Sequence, residues 1–282
     1  MIRKTHTFLE MIKFEHTIFA LPFAFMGAFL AAGGVPEPAK CLWILSAMVG
    51  ARTAAMGFNR IIDLPYDRKN PRTASRALPQ GAIKVNEARL FVILASLLFF
   101  FAAYKLNRLT FMLSPLALAI VLAYSYTKRF TWLSHIFLGL ALGIAPSAGW
   151  IAVKGALDAA PLILSAGVIF WVAGFDTIYA CMDFEFDRRE GLHSIPCKFG
   201  KERALAFAVG FHILAFMFFL YTGIMTGLGW VYYAGIALTA MAMALQHIFV
   251  TPKDLSKINL SFFTMNGIIS ITLFLATWAA LS

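Results

Sequence analysis

The chain has 282 residues, of which 60% are hydrophobic and 13% charged, and its formal net charge is +10. Since an ordinary soluble domain is only about half apolar, this composition excludes that class and indicates a membrane protein. The positive charge lies mostly in loops between apolar stretches, so we ascribe it to membrane topology and expect no nucleic-acid partner.

Apolar windows of about 20 residues recur along the chain, each long enough to cross a hydrocarbon core of about 30 Å. Because unpaired backbone groups are costly in lipid, these windows are predicted to be helices, and the period-2 alternation of a barrel is absent. The predicted fold is all-α, one polytopic membrane domain over residues 1–282 with about nine transmembrane helices. The predicted spans are 16–33, 41–62, 87–105, 109–126, 131–153, 159–182, 204–222, 228–250 and 258–281.

The loop lysines and arginines predict the orientation. With the N-terminus in the cytoplasm, nearly all of them fall on the cytoplasmic side. Those on the opposite side are Lys40, Lys105, Arg108 and Lys154. We therefore expect an integral protein of a bacterial inner or plasma membrane, with the C-terminus on the side opposite to the N-terminus.

The second span carries a polar pattern made of Arg52, Asn59, Asp63 and Asp67. At about 100° per residue, steps of seven and eleven return to within roughly 20° of the starting direction, so Arg52, Asn59 and Asp63 share one helix face. Pro65 disfavours helix at the residue before it. The helix is therefore expected to end near Asp63, with Asp67 bending back from the following loop.

The sixth span repeats the pattern with Asp176, Asp183 and Asp187. Carboxylates four residues apart on a helix lie about 5–6 Å apart, close enough to share a cation. Mg²⁺ typically takes one or two carboxylates together with substrate phosphates. The two patterns therefore predict a twofold internal repeat with a site for Mg²⁺ and a diphosphate.

The deepest members of both patterns indicate a cavity. Charged residues at the depth of Arg52 and Asp176 cost at least a few kcal/mol unless they face a polar space. We therefore expect the helices to surround a central cavity open to the cytoplasmic side. Two structural alternatives stay open here: the shallow acids could pair with loop arginines, and Arg52 could form a salt bridge with Asp176.

Three motifs follow one another along the chain, Asn59-x-x-x-Asp63-x-x-x-Asp67, Tyr124-Ser-Tyr-Thr-Lys128-Arg129 and Tyr179-Ala-x-x-Asp183-x-x-x-Asp187. They resemble the ordered motifs of the UbiA-type intramembrane aromatic prenyltransferases. The loop sequences 70–79 and 186–196 look closest to the 4-hydroxybenzoate polyprenyltransferase-like branch. One position departs from the family, because many members have Asn-Asp where this chain has Asn59-Arg60.

The resemblance implies a role for each position of the motifs. It implies catalytic roles for Asp63, Asp67, Asp183, Asp187 and Asp176. The implied Mg²⁺ ligands are Asn59, Asp63, Asp67, Asp183 and Asp187. The implied diphosphate contacts are Lys128 and Tyr124, with Arg68, Arg72 and Arg188 as further candidates. Arg52 would bind the carboxylate of an aromatic acid, and Asp176 would orient the acceptor ring or accept a proton from it.

The function that follows is Mg²⁺-dependent transfer of a polyprenyl group from its diphosphate to an aromatic acid. The expected acceptor is 4-hydroxybenzoate, in ubiquinone or menaquinone biosynthesis, and the polyprenyl tail would lie against membrane lipid. A naphthoate-type menaquinone precursor is the alternative acceptor, since Arg52 suits either acid. A secondary transporter is the alternative of another class, because transporters also have internal repeats and intramembrane charges. The oligomeric state is left open.

Overall fold

The computed structural model describes residues 7, 8, 11 and 17–282. All regular secondary structure in those residues is helical, so the predicted all-α class is confirmed. The helices, labelled in chain order from residue 17, are α1 (Thr17–Ala32), α2 (Pro38–Ile62), α3 (Leu64–Asp67), α4 (Val85–Leu106), α5 (Arg108–Thr127), α6 (Ser134–Lys154), α7 (Ala159–Ala180), α8 (Phe184–Arg189), α9 (Ile195–Phe199), α10 (Lys201–Thr226), α11 (Trp230–Phe249) and α12 (Asn266–Leu281).

Each of the nine predicted spans overlaps one long helix. Within the described residues, eight helices are long and apolar enough to cross a membrane, with the α7–α8 stretch counted as one. The apolar helix α1 is shorter, and the first predicted span begins at residue 16, outside the described residues. The eight spans therefore support an integral membrane protein, and the count of nine stays a prediction.

The helices pack as a ring around a cavity. Helix α6 contacts α1, α5 and α7, while α2 contacts α4 and α5. Helix α7 also contacts α10, and α11 and α12 complete the ring back to α1. The main apolar core lies on that second side, around Trp171 of α7, Phe23 of α1 and Phe219 of α10. This core packs against one face of α7, and the opposite face of α7 lines the cavity.

Two glycines bring α1 and α6 into backbone contact. A Cβ at Gly27 would collide with the carbonyl of Pro146, and a Cβ at Gly149 would collide with the carbonyl of Ala24. Small residues allow such close approach where helices have no hydrophobic drive to associate within lipid. This crossing sets the position of α6, which forms one wall of the cavity.

Candidate active site

A large cavity brings both acidic patterns together. It has a volume of about 880 Å³ and is lined mainly by α2, α5, α6 and α7. All seven members of the two patterns line it, from Arg52 and Asp176 deep in the bundle to Asp67 and Asp187 near its end. Its polar end lies where α2, α5 and α7 terminate, and most of the remaining lining is apolar.

The internal repeat is visible in the backbone. Helix α2 ends before Asp63, as predicted, and Asp63 has φ −84° and ψ 0°. Asp183 has nearly the same conformation, φ −93° and ψ 5°, after the single 3₁₀ turn Cys181–Asp183 at the end of α7. A short helix, α3 or α8, then carries the last aspartate of each pattern, so the aspartate pairs Asp63/Asp67 and Asp183/Asp187 each span a helix break.

The expected placement of Asp67 needs a correction. It does not bend back from an irregular loop but ends the single helical turn α3, whose backbone bonds run from Tyr66 and Asp67 to the carbonyl of Asp63. Pro65 is accommodated because it occupies the first turn, where its missing N–H would have no intrahelical partner.

The first acidic pair is held by cationic and amide side chains. Asp63 accepts a hydrogen bond from Asn59 at 2.8 Å and lies 3.3 Å from the guanidinium of Arg129. Burial raises the pKa of Asp63, and the neighbouring Asp67 acts in the same direction, while Lys128 and Arg129 oppose them. Asp67 is buried and accepts from Arg76 at 2.8 Å with both carboxylate oxygens.

The second acidic pair is held differently. Arg72 donates to both oxygens of Asp183, at 2.9 and 2.5 Å, and Asn70 donates to Oδ1 at 3.1 Å. Asp187 is buried, and within the described residues its Oδ2 has no hydrogen-bond partner. The ammonium group of Lys128 lies 3.8 Å from that oxygen. The site therefore contains one carboxylate oxygen whose bonding capacity is unused.

Lys128 is the cation shared by the acidic groups. Burial alone would lower the pKa of Lys128, but Asp187, Asp176, Asp183 and Asp63 together raise it above its ordinary value. Its side chain is 40% exposed, and it lines the cavity together with Tyr124. A permanently charged ammonium facing this space can bind phosphate oxygens as a point charge.

The three arginines proposed from the loops have different positions. Arg72 lines the cavity, and its guanidinium also contacts the hydroxyl and ring of Tyr179. Arg68 and Arg188 are exposed and lie outside the cavity lining. The structure therefore brings Arg72 to the two acidic patterns and leaves Arg68 and Arg188 on the surface.

Several functional candidates were missed from the sequence. Asn70, Arg76 and Arg129 each bond one of the acidic residues, and His135 bonds Asp176 at 2.7 Å. Asn70 and Arg76 lie in a loop, where no helical periodicity assigns a face. Arg129 directly follows Lys128, and that adjacency is the one signal in the sequence that could have found it.

The donor set suits Mg²⁺. No three His, Cys, Asp or Glu side chains of the described residues are close enough to hold a metal ion by themselves. Mg²⁺ seldom uses such a cage, since it takes one or two carboxylates and completes its shell with water and substrate phosphates. Oδ2 of Asp187, which accepts no hydrogen bond from the described residues, and the carboxyl group of Asp63, whose pKa is raised by burial, both mark negative charge that a cation would stabilise.

Aromatic side chains line the cavity beside the polar end. A π-helical segment, Leu260–Met265, precedes α12 and places Phe262 and Phe263 in the lining. The ring of Phe262 lies 4.3 Å from that of Tyr179. Such segments occur often at functional sites because the extra residue re-aims side chains.

Comparison with known proteins identifies what the chain is similar to. The sequence profile of the UbiA prenyltransferase family matches residues 20–268. A 4-hydroxybenzoate octaprenyltransferase from Citrobacter koseri is 31% identical over 252 residues, which is 87% of this chain and 84% of the relative. One from Xanthomonas campestris pv. campestris is 34% identical over 218 residues, 77% of this chain and 72% of the relative.

Solved structures share the fold. A UbiA homolog from Aeropyrum pernix K1 has a TM-score of 0.85 at 39% identity, covering 93% of this chain and 96% of its own. A UbiA homolog from Archaeoglobus fulgidus bound to GPP and Mg²⁺ has a TM-score of 0.78 at 23% identity, covering 98% and 99%.

Proposed function

The chain belongs to the UbiA prenyltransferase family and is a prenyltransferase, and we propose that it transfers a polyprenyl group from polyprenyl diphosphate to an aromatic acid with the aid of Mg²⁺. The observation that carries the proposal is the meeting of two acidic pairs with Lys128, Arg72 and Arg129 at one end of an apolar cavity. Family membership decides against the secondary transporter considered from the sequence.

The cation site is built from Asn59, Asp63, Asp67, Asp183 and Asp187. These residues would hold Mg²⁺, which would supply positive charge that stabilises diphosphate as a leaving group. Asp187 has no hydrogen bond to its Oδ2 within the described residues, and the ammonium group of Lys128 lies 3.8 Å from that oxygen. Asp63, Asp67 and Asp183 are paired with Arg129, Arg76 and Arg72, so holding a cation with the same oxygens would exchange these arginine partners.

That exchange gives the arginines their function. Arg72 and Arg129 lie beside the carboxylates in the structure, and both line the cavity. With the carboxylates on a cation, these guanidinium groups would be free to donate to phosphate oxygens, for which their planar fork is well suited. Lys128 and Tyr124 contact the same diphosphate from α5 and the residues that follow it.

The apolar lining protects the reacting carbon. The allylic C–O bond breaks with its electron pair leaving on diphosphate, and the resulting cation must be kept from water. Tyr179, Phe175 and Phe262 line the cavity close to the acidic end and offer π-faces to such a cation. Trp150 and Trp171 lie in the apolar core, outside the cavity lining.

The acceptor is proposed to be an aromatic acid, with 4-hydroxybenzoate first because the relatives are named for it. Arg52 lies about 10 Å along α2 from Asn59, given the helical rise, and lines the deep part of the cavity. It would bind the carboxylate, with Asp176 beside the ring. The ring carbon ortho to the hydroxyl then attacks the allylic cation, and loss of its proton restores aromaticity. The prenylated acid belongs to quinone biosynthesis.

The experiment incubates purified protein with a prenyl diphosphate and a panel of benzoic and naphthoic acids, with and without Mg²⁺. We expect diphosphate release and a carbon-prenylated product, identified by mass spectrometry, that both require Mg²⁺. Asp63→Asn and Asp183→Asn should each reduce turnover at least a hundredfold, as loss of transition-state charge stabilisation does. Asp158→Asn is the matched control, because Asp158 is exposed and pairs with Lys154 outside the acidic patterns.

The panel also separates the two acceptors, since the preferred acid is the one with the highest kcat/KM. Absence of product with every acid, or full activity in both aspartate variants, would contradict the proposal.

A further inference from the structure

A fully buried histidine, His135, lies within hydrogen-bond distance of Asp176. His135 is the second residue of α6 and is 0% exposed. Its Nδ1 lies 2.7 Å from Oδ2 of Asp176 on α7. Its other ring nitrogen, Nε2, accepts the backbone N–H of Ile195 at 3.3 Å. A neutral imidazole that accepts at Nε2 carries its proton on Nδ1, so Nδ1–H donates to the carboxylate.

The partner of Nε2 is held in place by the rest of the site. Ile195 is buried and begins α9, where the hydroxyl of the preceding Ser194 caps the helix. Just before it, the backbone N–H of His193 donates to the carbonyl of Lys128 at 2.7 Å. The segment that follows the second acidic pair is thus tied both to Lys128 and, through His135, to Asp176.

Asp176 is placed to meet a ligand of the cavity. It lies seven residues before Asp183, about 10 Å deeper along α7. Its side chain is 19% exposed and lines the cavity. With Oδ2 occupied by His135, Oδ1 is the oxygen that remains for the substrate. The hydrogen bond also keeps the carboxylate from rotating, which a group that must meet one ring position requires.

We propose that His135 is a positioning residue for prenyl transfer, fixed in one tautomer between Ile195 and Asp176 so that Asp176 presents Oδ1 to the aromatic acceptor. The inference rests on the proposed function. Once the new carbon–carbon bond has formed, Oδ1 takes the ring proton, the C–H electron pair returns to the ring, and His135 keeps its Nδ1 proton throughout. His135 touches no substrate atom and acts through Asp176.

The test is a double-mutant cycle on the purified full-length protein. His135→Met removes both hydrogen bonds at similar volume, whereas the amide of His135→Gln can donate to Asp176 and accept from Ile195. We expect His135→Met to lower kcat at least tenfold and raise the KM of the acid, with the KM of the prenyl diphosphate unchanged. His135→Gln should stay within about threefold of the wild type.

The cycle separates positioning from mere structure. In the Asp176→Asn background, His135→Met should change kcat by less than twofold, because the group it positions is already disabled. His193→Met is the matched control, since that side chain is exposed, and it should leave the kinetics unchanged. Folding is checked by gel filtration and thermal unfolding, and His135→Leu replaces a Met variant that does not fold.

Multiplicative losses in the double variant, a Gln variant as impaired as the Met variant, or a fully active Met variant would overturn the proposal. Wild-type turnover in the same assay separates failure of the proposal for His135 from failure of the proposed function. An inactive wild type contradicts the proposed function. If the wild type is active, the double-mutant cycle decides the role of His135.

Discussion

The ion pair between Arg72 and Asp183 makes a sharp prediction, because under the proposed function the carboxylate of Asp183 would also hold Mg²⁺. We consider Arg72→Ala. Asp183 loses both guanidinium bonds and keeps only the amide of Asn70, while its side chain is 10% exposed. Burial alone would lower the pKa of Arg72, but the hydrogen bonds and the charge of Asp183 raise that pKa above its ordinary value.

The magnitude follows from burial. Removing one partner of a buried ion pair costs about 3–5 kcal/mol. The side chain of Arg72 is 30% exposed, so water screens part of that loss and we expect about 2–3 kcal/mol in the free energy of unfolding. At roughly 2–4 °C per kcal/mol, the midpoint of thermal unfolding should fall by about 4–12 °C.

The assay is thermal unfolding in detergent with and without Mg²⁺. We expect Mg²⁺ alone to stabilise Arg72→Ala more than the wild type, because the carboxylate of Asp183 is then free to accept a cation. Arg68→Ala is the matched control, since Arg68 is exposed and lies outside the cavity lining, and its midpoint should not move. An unchanged unfolding midpoint in Arg72→Ala would refute the reasoning. So would a Mg²⁺-induced shift of the midpoint that is equal in Arg72→Ala and the wild type, because Arg72 and the cation would then not compete for Asp183.

Two further predictions concern the deep end of the cavity and the helix crossing. Arg52→Ala should raise the KM of the aromatic acid about 10- to 150-fold, the equivalent of one lost charge-assisted bond of about 1.5–3 kcal/mol, with the KM of the diphosphate unchanged. Steady-state kinetics check this, and equal rises in both constants would contradict the assignment. Gly149→Val should destabilise the protein by about 1–3 kcal/mol or more, because the new side chain meets the backbone of Ala24, which cannot turn away. Gly210→Val, where a Cβ meets open space, is the control in the same thermal assay, and equal midpoints in the two variants would contradict the packing argument.

The sequence predicted the helices well because lipid imposes a simple rule. A window of apolar residues in the bilayer must satisfy its own backbone, so composition and length suffice to place a span. The same rule singled out Arg52 and Asp176, since charge at that depth is costly unless a cavity receives it. The end of α2 before Asp63 also followed from one residue, Pro65.

The pairing of the acidic groups could not be predicted in the same way. Asn70 and Arg76 lie in the loop after α3, where no period constrains direction, and they reach Asp183 and Asp67 only because that loop folds over the cavity. The partner of Asn70 depends on where two distant helix ends meet, whereas Arg76 reaches Asp67 through the fold of the loop itself.

By itself, then, the sequence determined which segments cross the membrane and which faces of α2 and α7 carry charge, because both depend on local spacing and on the cost of polar groups in lipid. The tertiary structure alone decided which cation neutralises each aspartate and that His135 stands behind Asp176. Those contacts join α6, α7 and the loops after α3 and α5. A contact between segments far apart in the chain is set by how the helices pack, which local periodicity does not encode.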